Sequence, residues 1–380
     1  MACKGCHQKI VESFVQTAHF RTSAQANAET VKGHVSDGHN VLRTQRPNVY
    51  FKVENTGGAF YQTGVDSAQS QSRTERMDLV IGSGRVGQTY LYWKEGSLFE
   101  LPVSYLTGAD AWINSPGYPD GRIDFGRIIT PRCLECHSTR FNTDTSGGRA
   151  PRYLGDYMLG ISCAKCHGSV RRHLEYQTAH PAETRGKYML NPASFSRERK
   201  LDNCALCHSG AREPSAPAFA YKPGERLDEY FAPQAERIDS LPDVHGNQVG
   251  LLRRSRCFRN SPEMSCSSCH DVHQPQRDVT QLAKRCLQCH QAGKHKMAEK
   301  IGSRMMTECI NCHMPEQKTK AIRINTATKE FSPLLRSHLI GIYPAVADSL
   351  LRSPARAAAP PRSAHTPSPS PQAGSRASFR

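Results

Sequence analysis

Seven copies of one five-residue pattern constrain this 380-residue chain more than anything else in it. Cys3-Cys6-His7, Cys133-Cys136-His137, Cys163-Cys166-His167, Cys204-Cys207-His208, Cys266-Cys269-His270, Cys286-Cys289-His290 and Cys309-Cys312-His313 all read C-x-x-C-H and use fourteen of the fifteen cysteines. Two thiols three positions apart lie on one side of a helical turn, and the histidine beside the second can swing beneath whatever they hold. This is the attachment signature of c-type haem. The thiols take the two vinyl groups on one porphyrin edge, and the imidazole takes the iron. Zinc knuckles and disulfide frameworks also use C-x-x-C pairs, but neither asks for a histidine after every second cysteine. The pattern predicts seven covalently bound haem c groups.

A formal net charge of +16 raises nucleic acid as a partner, and two corrections shrink it. The last 29 residues carry five arginines and no acid. Each ferric haem adds about one negative charge once its two propionates are counted. No nucleic-acid motif is visible, so nucleic acid is excluded and the basic residues are read as propionate partners. A basic patch for an acidic redox partner stays open. No run of 18 apolar residues exists, which predicts no transmembrane segment and leaves peripheral association with a membrane redox complex. Covalent haem attachment takes place beyond the cytoplasmic membrane, so a periplasmic or otherwise extracytoplasmic location is expected. The first motif starts at residue 3 with no leader before it, so the signal peptide is expected upstream of Met1.

The motifs divide the chain. Residues 1–20 form a first haem-binding segment, with a helix through Ile10, Val11, Phe14, Val15 and Ala18. Residues 21–130 hold no motif and read as strands: Asn48–Val53, a Gly57-Gly58 turn, Ala59–Tyr61, then Thr89–Trp93 and Leu98–Val103 joined by Lys94–Ser97. Residues 131–212 carry motifs two to four. Residues 213–350 carry motifs five to seven and a C-terminal wrap; spacings of 20 and 23 residues between first cysteines leave no room for separate cores. Residues 351–380, rich in Ala, Pro, Ser and Arg, read as a disordered tail. The expected fold is mainly α with many loops, organised around a packed haem array, plus a small antiparallel β module.

Strings around several motifs resemble the multihaem cytochrome c-552/554-like family. They are Cys163-Ala-Lys-Cys-His-Gly168 with His173 following, Cys266-Ser-Ser-Cys-His-Asp-Val-His273, Cys309-Ile-Asn-Cys-His-Met-Pro315, and the first motif with Phe14 and Ala18-His19-Phe20. The resemblance touches most of 1–20 and 130–316. It implies a periplasmic electron carrier or an electron-feeding subunit, whereas more distant relatives reduce nitrite or oxidise hydroxylamine.

Each iron needs a sixth ligand or keeps an open site. Outside the motifs stand His19, His34, His39, His173, His180, His245, His273, His295, His338 and His365. His7 and His19 are about 18 Å apart along a continuous helix and cannot sandwich one iron. His270 and His273 share one face of a turn, so they serve different irons. By resemblance His173 and His273 lead as distal ligands, followed by His19 and His295. His245, His34, His39 and His180 come next, and His338 ranks below them. Cys257, the unpaired cysteine, reads as a small buried thiol, with a thiolate ligand as the sharper alternative.

The expected function is electron transfer between a donor and an acceptor that are themselves redox proteins. No residue is assigned to catalysis. The competing reading is an oxidoreductase with one open haem acting on a small nitrogen or sulfur compound. A third is a docking subunit whose β module binds a partner.

Overall fold

A computed structural model describes residues 2–148, 150–233, 247–276, 278–319, 324–325 and 330–352. Between Ser23 and Asn114 the chain folds into ten strands, all antiparallel. Four of them, Val41–Arg43, Val49–Thr56, Ala59–Asp66 and Gln71–Met77, form a meander in sequence order. The other six form a second sheet with Gly87–Lys94 near its centre, flanked by Leu79–Ile81, Ser97–Glu100 and Val103–Leu106. Alternation sets the inward faces. Phe51 and Val53 from the first sheet meet Tyr90, Tyr92, Val103 and Trp112 from the second in one buried core. The expected turns sit at Gly57-Gly58, where both φ angles are positive, and at Glu95-Gly96.

The expectation of a mainly α fold organised around a haem array is overturned. Helix accounts for 30% and strand for 24% of the structure, so the fold is mixed α and β. Two physical reasons explain the difference. The haem motifs need only one helical turn each, so seven of them add little helix. The motif-free stretch supplies enough inward-facing aromatic and β-branched side chains for two packed sheets, where a small module was expected. A further hairpin, Ser138–Asp144 with Arg152–Leu159, also interrupts the stretch between the second and third motifs. It packs Phe141 and Tyr153 on Leu79, Leu91 and Leu98 of the second sheet, which fastens the second motif to the β region.

Beyond the hairpin the elements are short helices joined by loops, with small apolar clusters around Leu206 and Leu227 and around Leu201 and Phe258. Of the predicted tail, Leu351 and Arg352 close a helix from Pro344, and the remainder lies outside the described residues. Among the described residues no helix is long and apolar enough to cross a membrane.

The two sheets are clasped by one polar side chain. Gln62, fully buried, donates to the Val103 carbonyl at 2.7 Å and accepts from the Val103 N–H at 3.0 Å. Replacing it by Leu leaves two buried backbone groups without partners, each costing about 1–3 kcal/mol. Gln62→Leu is therefore expected to lower the urea midpoint without changing the slope, whereas a midpoint within error of wild type would remove the clasp.

Candidate haem-binding sites

Every motif adopts the turn its chemistry requires. Helices Pro131–His137, Cys163–His167, Arg197–His208 and Cys309–His313 each end on a motif histidine. In motifs one, five and six the histidine N–H bonds to the first cysteine's carbonyl at 2.9, 2.9 and 3.0 Å, closing a single helical turn. Both thiols and the imidazole thus leave one short scaffold in the same sense.

The histidines come together in pairs. Ring centroids lie 6.5 Å apart for His7 and His173, 6.1 Å for His167 and His273, 6.1 Å for His208 and His19, 6.2 Å for His270 and His338, and 5.9 Å for His313 and His295. Each pair joins one motif histidine to one from outside the motifs. Two imidazoles bound to a single metal at about 2 Å each would hold their centroids slightly over about 6 Å apart. All five separations, from 5.9 to 6.5 Å, lie close to that width.

Hydrogen bonds fix several rings in a metal-ready tautomer. His167 Nδ1 donates to the Leu190 carbonyl at 2.9 Å, His173 Nδ1 to Lys187 at 2.8 Å and His313 Nδ1 to Gly341 at 2.7 Å. His270 Nδ1 donates to Gln276 Oε1 at 3.2 Å, and His137 Nδ1 shares a bond with the Thr22 hydroxyl at 3.0 Å. A ring that gives its proton to a carbonyl keeps the lone pair of the other nitrogen for a metal. His338 shows the same fit by another route: its buried Nδ1 has no hydrogen-bond partner, an orphan that a bond to iron would satisfy. His295 departs from the pattern, because its Nδ1 accepts from the Met297 N–H at 3.1 Å and the neutral ring then carries its proton on Nε2. That ring must turn over before it can serve the iron on His313.

Burial favours the neutral imidazole that metals bind. Desolvation pushes His208 and His338 down to about 4, and lowers His19. The His19 and His208 rings nevertheless touch accessible space.

The motifs also approach one another. Thiols of different motifs lie close enough to shift one another: Cys163 senses Cys3, Cys136 senses Cys207, Cys266 senses Cys204, and Cys309 senses Cys286. Cys269 senses Cys289, and Cys286 senses Cys269. Among the described residues no three His, Cys, Asp or Glu side chains converge to hold a bare metal ion.

Of the remaining histidines, His34 stacks on His39 at 5.5 Å and reaches Asp110 at 3.3 Å, and His180 stacks on Tyr176 at 4.2 Å. None of these three opposes a motif histidine. His245 and His365 lie outside the described residues. His338, ranked low from sequence, is the ligand candidate that sequence reasoning missed. It is brought to His270 by the wrap, where Ser255 Oγ donates to the His338 carbonyl at 3.1 Å and accepts from the Ile340 N–H at 2.8 Å. No local signal announces that contact. Cys257 sits half-buried in the helix Arg256–Arg259, and burial pushes its thiol up, away from the thiolate form.

The family model for Cytochrome c554 and c-prime matches residues 122–168, a stretch that holds the second and third motifs. No curated protein and no solved structure matches the chain. The family match supports a c-type cytochrome with haem c as its cofactor and electron transfer as its role.

His19 owes its place to a glycine. Gly160 has φ +64°, and a Cβ there would lie 2.1 Å from the Phe20 carbonyl oxygen, while Ile161 N–H bonds to the His19 carbonyl at 3.0 Å. Gly160→Ala is expected to cost about 1–3 kcal/mol of backbone strain and to drive the 19–23 segment off the hairpin. Thermal unfolding checks this; an unchanged midpoint would mean that the segment is not seated there.

Proposed function

We propose that this chain is a heptahaem c-type cytochrome that carries electrons between extracytoplasmic redox proteins, with mostly bis-histidine irons. The observation that carries the proposal is the set of five histidine pairs, each joining a motif histidine to one outside the motifs at about the width of one metal ion. Haem c, bound between them, supplies reversible one-electron chemistry at iron.

The chain's own groups do the rest. Fourteen motif cysteines anchor the porphyrin edges, and His7, His137, His167, His208, His270, His290 and His313 are the proximal ligands. His173, His273, His19, His338 and His295 are the distal candidates, with His245 for a further iron. Carbonyls of Leu190, Lys187 and Gly341 aim three of these rings and raise their basicity as ligands. Desolvation at His19 and His208 keeps both rings neutral and their lone pairs free for a metal. Thiols that lie near one another across motifs bring neighbouring attachment edges together, the arrangement that short electron hops need.

Donor and acceptor are other redox proteins, and the chemistry of attachment places the chain beyond the cytoplasmic membrane. Peripheral association with a membrane redox complex fits this role. One observation favours the second reading, an oxidoreductase with an open haem: among the described residues no histidine ring opposes His290.

The denatured protein is expected to exceed its polypeptide mass by seven haems and to keep its red colour in acidic acetone. A bare polypeptide mass ends the proposal. His273→Ala is expected to convert one low-spin iron to high spin in the ferric spectrum, through loss of the ring facing His167. An unchanged spectrum would break that pairing.

A further inference from the structure

The chemistry of C-x-x-C-H leaves its two inner positions open. The second motif fills one of them with Glu135, and the third fills the same one with Lys165. The Glu135 side chain is 3% exposed, and both its oxygens are engaged. Arg132 donates to Oε2 at 2.6 Å, and the Phe219 N–H donates to Oε1 at 2.6 Å. Arg132 also reaches the fourth motif, donating to the Leu206 carbonyl at 2.7 Å. The partly buried Lys165 ammonium lies 4.8 Å from the centre of the Phe219 ring. Phe219 thus holds the carboxylate with its backbone and the ammonium with its ring. One anion and two cations meet where three motifs converge.

These charges act unequally on the attachment positions. Cys136 senses Arg132, Glu135 and Lys165. Cys207 senses Lys165 and Arg132, both cations, and Cys166 senses Lys165. A thioether carries no charge, so after attachment the three side chains stay as fixed charges beside three porphyrin edges.

We propose that Arg132, Glu135 and Lys165 order the potentials of the second, third and fourth haems, and that electrons collect on the fourth. The inference rests on the haem reading above and deepens it by naming residues that give the transfer a direction. Reduction lowers the charge of a haem by one unit, so a nearby cation favours the reduced form and a nearby anion the oxidised form. Two cations act on the fourth edge. At the second edge the carboxylate offsets part of their pull, and the third edge has Lys165 alone.

Redox titration of the haem-loaded protein, followed by absorbance and electron paramagnetic resonance at fixed pH, is the test. Cys204→Ser with Cys207→Ser should remove one haem by mass, and the midpoint lost identifies the fourth haem. Lys165→Met keeps the length and loses the charge. It should lower that midpoint by a several-fold change in the ratio of reduced to oxidised haem, where tenfold corresponds to about 59 mV for one electron. The first, fifth, sixth and seventh midpoints should stay in place, and Lys165→Arg should restore the wild-type curve. Glu135→Gln, which keeps an acceptor for the Phe219 N–H, should raise the second haem's midpoint. The shifts should persist in high salt, because partly buried charges are weakly screened. A fourth midpoint that does not fall in Lys165→Met overturns the proposal. So does a fourth midpoint below those of the second and third haems. A uniform shift of all seven, or a shift that Lys165→Arg leaves unreversed, makes the residue structural and overturns it too. A chain with no haem by mass sinks the parent reading instead, so the two failures are told apart.

Discussion

Opposition of two imidazoles across the width of one metal ion is the constraint on which the helical part of the structure depends. Four of the five pairs reach between segments that sequence keeps far apart: the first motif meets the helix after the third, and the fourth motif meets the segment after the first. The third motif meets the turn after the fifth, and the fifth meets the C-terminal wrap. The distal histidine for one motif therefore sits beside another motif, and loosening one pair loosens two attachment sites. This cross-bracing matters because the apolar clusters in this region are small. Clusters of that size offset little of the entropy of ordering so many loops.

The β region works in the opposite way. Its two sheets bury Phe51, Tyr90, Tyr92 and Trp112 in a continuous core, and it can hold its shape from side-chain packing alone. Its link to the motifs is the hairpin between the second and third. Phe141 and Tyr153 pack down onto the second sheet while Gly160, Ser23 and Thr139 tie the strand ends to the 19–23 segment. A rigid body thus positions His137 and His19, whereas the later motifs are positioned by one another. Rigid support near the second motif and mutual support near the last three should give different responses to unfolding stress.

Legibility from sequence followed the range of the interaction. The motif turns depend on contacts within five residues, and they formed as the spacing demands. The hairpins at Gly57-Gly58 and Glu95-Gly96 are local too, and their glycines announce them. The extent of the β region was underread because short strands such as Leu79–Ile81 and Ala111–Asn114 gain their identity from the sheet they join. Spacing separated His7 from His19 and His270 from His273; although the first helix ends at Phe14, these rings do face different partners, His173, His208, His338 and His167. It could not find His338, which reaches His270 through the bonds between Ser255 and the wrap. No periodicity records such a contact.

A proton and a metal compete for the same imidazole lone pair, and burial decides the competition before any metal arrives. Desolvation holds His208 and His338 near 4 and lowers His19, so these rings remain neutral well below the point at which an exposed imidazole takes up a proton. A histidine whose folded value is depressed binds more protons when unfolded. Stability from these sites is therefore full above about 6.5 and falls as the pH drops towards 4. A bond to iron at the same nitrogen strengthens the opposition to protonation and extends the range. Desolvation at His208, His19 and His338 thus serves ligation by removing the competing proton.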